Sequence, residues 1–376
     1  MRTRVRVPVR VRGLTLIELM VALTIGSILV VGAVYVYSQS SATYRTNELA
    51  ARLQDQARYV ISVIEPDLEL AGYYGFTNAA DAIRFIRGGD PGFVVATAAR
   101  MRQYAVRAGE PQPAPVPGVP SSAHACGVNF AFDVLTPVQG SNGSFVLGRG
   151  ATSACGPRPN AAQPGADTLV IRRATTEPSA PEPGGGRLQI YASRLASRTS
   201  HLLFADGIAP GPLNDDNRVH DLVVRAYYVS RDSVGRPGFP ALRVKYLTKV
   251  GSEVSFVDEE VMPGVEDLQV QFGIDTGDYD ADGSVDPGVD VNGDGVPETD
   301  GRATRYVNPD FPDLHRYQVV SVRFWVRVRA DEREGGFVDD RTYRYADVEY
   351  TPSGDERNYR RVLMSRTVAL RNARTL

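Results

Sequence analysis

The sequence predicts an α+β chain in which one long N-terminal helix lies on an antiparallel β-sheet head. Three observations predict it. An uncharged apolar run extends from Leu19 to Tyr37, apolar residues then recur at helical spacing to Ile64, and later segments such as "VVSVRFWVRVR" alternate with a period of two. The 376 residues are enough for a full-sized core, and 43% hydrophobic with 23% charged residues is ordinary for a globular protein. The 36 Gly and 25 Pro imply many turns.

The apolar run comes first. As a helix rising 1.5 Å per residue it spans about 28 Å, close to the hydrocarbon thickness of a bilayer. It follows Arg2, Arg4, Arg6, Arg10 and Arg12, in a segment of 13 residues without an acid. That asymmetry places the N-terminus in the cytoplasm and the body across the membrane. Without those five charges the formal net charge falls from −2 to −7, and a mildly acidic body argues against nucleic acid as a partner. A cleaved secretory signal would have a shorter core ending in an A-x-A-like site, which Ala33 and Ser38 do not provide. A plain signal anchor fits the length but leaves Glu18 unexplained, because a carboxylate at the head of a membrane span is costly and marks function.

Beyond the membrane the helix continues. Leu49, Leu53, Ala57, Val60 and Ile64 form one apolar face, while Arg45, Glu48, Arg52, Asp55 and Arg58 occupy the others. Pro66 is expected to end or kink the helix near Glu65, with Asp67 to Tyr74 adding at most another turn. From residue 76 the signals are mainly β. Val320, Val322, Phe324, Val326 and Val328 define a strand with one buried and one wet face, and Leu268, Val270, Phe272 and Ile274 a second. Further strands are expected over 168–172, 222–229, 241–247, 342–350 and 362–370, with "SVGRPG" as a turn, suggesting an antiparallel sheet laid on the amphipathic helix. Residues 109–122 and 177–187 are Pro-rich loops. Gly184-Gly185-Gly186 lacks the strand and Lys of a phosphate loop.

Two cysteines, Cys126 and Cys155, lie in the body. In an exported body they form a disulfide that stabilises by roughly 3–4 kcal/mol, and in a cytosolic one they stay free thiols. The acidic loop 275–301 holds nine carboxylates from Asp275 to Asp300 and no Lys or Arg. Asp278, Asp280, Asp282 and Asp286, around Gly283, match positions 1, 3, 5 and 9 of a calcium loop. So do Asp290, Asn292, Asp294 and Glu298, around Gly295, with Val296 and Asp300 completing the second set. Both frames lack the acid at position 12, where Val289 and Gly301 stand, and no flanking helices are evident. Calcium is the expected cofactor, against a solvated acidic loop. His124, His201, His220 and His315 have no metal-ligand spacing, and the chain has no GxSxG elbow or P-loop, so no catalytic role is expected.

The residues Gly13-Leu14-Thr15-Leu16-Ile17-Glu18-Leu19 resemble the class III signal of type IV prepilins. The resemblance implies cleavage by a prepilin peptidase between Gly13 and Leu14, N-methylation of Leu14, and Glu18 as the fifth mature residue, docking subunits through the new amine. Leu14 departs from the phenylalanine most common there. "AGYYGF" at 71–76, "GADTLVIRR" at 165–173, "PGVEDLQVQFGID" at 263–275 and "VALRN" at 368–372 resemble the PilW-type minor pilins, over most of the chain. A type IV pilin-like fold is thereby implied, with leader 1–13, transmembrane or filament-core helix 14–38, amphipathic continuation 39–75 and a globular head 76–376. The implied role is assembly into a type IV pilus, priming it and forming part of a tip complex. The implied partners are minor and major pilins, the inner-membrane assembly platform and a large tip adhesin. The implied location is the inner membrane, head periplasmic, then the pilus. A minor pseudopilin of a type II secretion system shares leader and helix, and a signal-anchored calcium-binding surface protein is the alternative from another class.

Overall fold

The computed structural model describes residues 13, 15–87, 92–101, 114–184, 186–194, 201–276, 301–312 and 314–372. It divides into two compact units, residues 1–52 and 53–376. Helix α1 (Leu16–Glu69) makes up most of the first unit and ends in the second. In the first unit its apolar side chains, from Leu16 to Tyr37, are exposed. The Ser and Thr hydroxyls on this stretch turn back on their own helix. Thr24 donates to the Met20 and Val21 carbonyls, Ser27 to Thr24 and Ser38 to Tyr35. These Ser and Thr hydroxyls are thus satisfied without water, as a lipid environment requires. No other described segment is long and apolar enough to cross a membrane.

The second unit is the head. Its described strands are β1 (Arg84–Ile86), β2 (Val94–Thr97), β3 (Val138–Ser141), β4 (Thr168–Ala174), β5 (Gln189–Ser193), β6 (Leu202–Phe204), β7 (Asn217–Ser230), β8 (Ala241–Val250), β9 (Glu253–Pro263), β10 (Val265–Asp275), β11 (Arg305–Val307), β12 (Gln318–Arg329), β13 (Tyr343–Tyr345), β14 (Val348–Tyr350) and β15 (Arg361–Ala369). They make two mostly antiparallel sheets, with β13–β14 as a separate hairpin. The larger sheet runs β2-β1-β6-β5-β7-β4-β3, with β8 and then β9 added beside β7. The smaller runs β11-β10-β12-β15. Pairing is antiparallel except between β1 and β6. The long β7 permits the branching: residues 217–221 pair with β5 and residues 225–230 with β8.

The chain passes between the sheets at Gly264, where φ is +85° and a Cβ would lie 2.9 Å from the Arg329 carbonyl. Both facts require glycine there. Asp167 then ties the sheets together. Its N–H donates to the Leu268 carbonyl (2.8 Å), and its carboxylate accepts from the N–H of Val270 (2.8 Å) and Gly143 (2.7 Å). Burial pushes this carboxyl up to about 7, against the pull of those two donors.

The helix face Leu53, Ala57, Val60, Ile64 is buried, as its spacing predicts, against Leu169, Ile171 and Tyr227 of the larger sheet and Leu268, Val270, Phe272, Phe324 and Val326 of the smaller. Each of the Leu, Val, Ile and Phe side chains contributes about 1.5–3 kcal/mol on burial. The opposite face of the larger sheet, with Val170, Val224 and Ala226, is covered by Phe130, Phe132, Val134 and Leu147. Cys126 and Cys155 form the expected disulfide within that covering layer, their Cα atoms 5.0 Å apart. Arg172, fully buried, pins the layer to β4 by donating to the Phe130 and Thr136 carbonyls and the Gln139 amide oxygen, at 2.8–2.9 Å.

Two expectations are corrected. Pro66 does not end α1, which continues to Glu69 with Leu70 N–H bonded to the Pro66 carbonyl (3.2 Å). Proline removes one donor, and buried Asp67 and Leu68 anchor the turn beyond it. The second face of β12 is also not wet throughout, because Arg327 and Arg329 are buried there with Glu266.

Candidate functional site

The N-terminal motif is built by helix initiation. Gly13 is exposed, Leu14 lies outside the described residues, and Thr15 stands immediately before the first helical residue, Leu16. The Thr15 hydroxyl accepts from the Glu18 N–H (3.3 Å) and donates to the Glu18 carboxylate (3.0 Å), which also accepts from the Thr15 N–H (2.9 Å). This is a capping box, in which two of the helix's unpaired N–H groups are satisfied reciprocally. It also puts the carboxylate in the first turn, at the positive end of the helix dipole. Thr15 was not singled out among the sequence candidates, although the spacing Thr-x-x-Glu is its signature. Both bonds to the carboxylate fall on Oε2, so Oε1 keeps its acceptor capacity for a donor from outside the helix.

At the other end of α1 the helix is fastened to the head by Asp67, whose side chain is 2% exposed. Its Oδ1 accepts from Arg173 (2.8 and 3.0 Å), and its Oδ2 from Arg225 (2.9 Å) and the Tyr227 hydroxyl (2.6 Å). Burial beside that carboxylate holds the Tyr227 phenol well above its usual range, so it remains a donor. Exposed pairs reinforce the seam from the far edge of the smaller sheet, Glu65 with Arg366 and Glu69 with Arg371. In water these contribute little. None of these seam residues was singled out as a site candidate, although Arg173 and Arg371 fall within the stretches "GADTLVIRR" and "VALRN".

The calcium candidates Asp278, Asp280, Asp282, Asp286, Asp290, Asn292, Asp294, Val296, Glu298 and Asp300 all lie outside the described residues. The loop's stems are inside them: Asp275 accepts from the Gly301 N–H (2.7 Å), and Thr304 donates to the Ile274 carbonyl (2.9 Å). His124, His201 and His220 sit at separate places in the head, with His201 and His220 buried and burial lowering the basicity of all three. His315 is exposed.

Comparison with known families gives two matches. Residues 9–34 match the prokaryotic N-terminal methylation motif, and residues 226–372 match the type IV pilus-assembly protein W family. The second match runs from β7 through β15 and includes the whole smaller sheet. No curated protein and no solved structure matches the chain. A methylation motif that opens an apolar helix, ahead of a β head carrying the assembly-protein W pattern over residues 226–372, is what a PilW-type prepilin carries, and it points to a structural component of type IV pilus-related machinery.

Proposed function

We propose that this pilin is a minor subunit that primes pilus assembly and takes its place in a tip complex with other minor pilins and a large adhesin. The observation that carries the reading is the pairing of the methylation motif with the assembly-protein W pattern in one chain. In this reading a prepilin peptidase cuts between Gly13 and Leu14 on the cytoplasmic side, and the new Leu14 amine is methylated. The amine then stands about one helical turn from Glu18. In an apolar filament core either charge alone is costly, whereas the pair neutralises both and selects subunits in register. Oε1 of Glu18 serves a neighbouring subunit's amine, while Oε2 keeps the Thr15 cap.

Peptidase-dependent processing is expected as a mobility shift of the chain when the enzyme is co-expressed, and no shift would sink the reading. Glu18→Ala is expected to insert into the membrane as well as wild type but to fall at least tenfold in sheared filaments. Normal incorporation would remove the docking role. Neighbouring genes for further short-leader prepilins and a large adhesin would favour the pilus over a secretion system.

We also propose that the acidic loop 275–301 binds calcium, the frame from Asp290 to Asp300 being the stronger. Nine carboxylates without a cation repel one another, and hard oxygen donors at alternate positions suit this ion. Chelator should then lower the melting temperature of the detergent-solubilised chain, and calcium should restore it. An unchanged melting curve argues for a solvated loop.

A further inference from the structure

A cavity of about 610 Å³ opens in the head, far in sequence from the docking helix. Its walls come from the loop before β4 (Asn160, Gln163), the turn after β7 (Arg231, Asp232) and the outer face of the smaller sheet (Glu266, Arg327, Arg329). Tyr350 of β14 and Glu356, in the short turn before β15, close it. The volume is within the roughly 300–1,000 Å³ of small-molecule sites.

The floor carries hydrogen-bonding capacity that the protein does not use up. The Arg329 side chain is 8% exposed and gives Nη1 to Glu356 (2.7 Å). Its Nε lies 3.6 Å from Glu266, beyond hydrogen-bonding distance, and has no acceptor among the described residues. That nitrogen is closed off beneath the cavity floor, so the groups that can meet a ligand are those around it. Glu266 is already engaged by Arg327 (3.1 Å) and twice by Arg361 (2.8 and 3.0 Å). Acceptors are in surplus nearby. The half-exposed Glu356 carboxylate receives Arg329 and Arg361 on Oε2, and Asp232 receives Asn160 on one oxygen and the Gly238 N–H on the other. Each carboxylate oxygen has two lone pairs.

This mixture selects a ligand class. A bare anion entering the cavity would meet Glu266, Glu356 and Asp232, and a cation would meet Arg231, Arg327 and Arg329. A hydroxyl group accepts from a guanidinium and donates to a carboxylate, so it suits both walls. The lining is also dominated by planar forked groups, namely guanidinium, carboxylate and amide. Their paired atoms match hydroxyls on adjacent carbons. We infer that this cavity binds a short saccharide, with the exposed Arg231 guanidinium donating to a ligand oxygen and Glu356 and Asp232 accepting from ligand hydroxyls.

The test uses the detergent-solubilised full chain on an immobilised panel of neutral, N-acetylated and uronic mono- to tetrasaccharides, with hits titrated calorimetrically. At least one saccharide is expected to bind saturably. Gln163→Ala and Arg231→Ala, on the cavity wall and outside the Glu266 cluster, are expected to weaken it at least tenfold without moving the melting temperature. No saturable binding across the panel overturns the proposal, as does binding that both variants retain. Competition by acetate as strong as that by the sugar would make this an anion site and also overturn it.

Discussion

Replacing Asp67 with alanine is expected to destabilise the head by about 3–5 kcal/mol, the range for removing one partner of a buried ion pair. Three donors meet on this carboxylate, and alanine removes their shared acceptor: Arg173, 13% exposed, keeps the Ala174 carbonyl, Arg225, 38% exposed, turns to water, and the buried Tyr227 hydroxyl is left stranded. The same carboxylate holds the helical turn that proline would otherwise weaken, so α1 should also fray back toward Pro66. Trp325, the single tryptophan, lies on β12 and reports unfolding of the smaller sheet by its fluorescence. A denaturation midpoint equal to wild type would show that the apolar helix face alone fastens α1. Asp67→Asn is expected to lose less, since it keeps the size and one acceptor oxygen but not the charge.

Replacing Cys126 and Cys155 with serine is expected to cost roughly 3–4 kcal/mol, the loop-closure value for a separation of 29 residues. The layer they staple packs on one face of the larger sheet and is built largely of short 3₁₀ turns, so it has few local restraints to fall back on. Arg172 still clamps that layer to β4 in the variant, so partial loosening should precede global unfolding. Thiol titration of periplasmically produced protein should find no free sulfhydryl, and two free thiols would refute the bridge. An unchanged midpoint after reduction would assign the layer's stability to Arg172 and apolar packing.

How much was legible in advance differs from element to element. The buried face Leu53–Ala57–Val60–Ile64 and the inward side chains of β10 and β12 were readable because burial imposes the period of the local backbone on the residues that touch the core. The prepilin signal was readable because its chemistry is contiguous. The capping box at Thr15 and Glu18 was equally local and was available from its spacing. Asp67 had a fainter signal: it lies three residues after Ile64, on the apolar helix face, where an acid is out of place unless a partner waits. Its partners could not be found the same way. Arg173 and Arg225 follow 106 and 158 residues later, each within a strand whose alternation by itself assigns it to a solvated edge.

The sequence alone determined the long apolar helix, its amphipathic continuation, most of the strands and the methylation motif, because each depends on neighbours within a few residues. The division of the strands into two sheets depended on Gly264 and on the Asp167 bridge, which acquire meaning only when β9, β10 and β12 are in place. The arginines on the second face of β12 read as solvated because local alternation records which side a residue faces, not what covers that side. Tertiary structure covered it with Glu266, the β13–β14 hairpin and the turn before β15, and turned a polar stripe into the floor of a cavity. Long-range pairing of buried charges is set by chain topology, and no short window of sequence contains it.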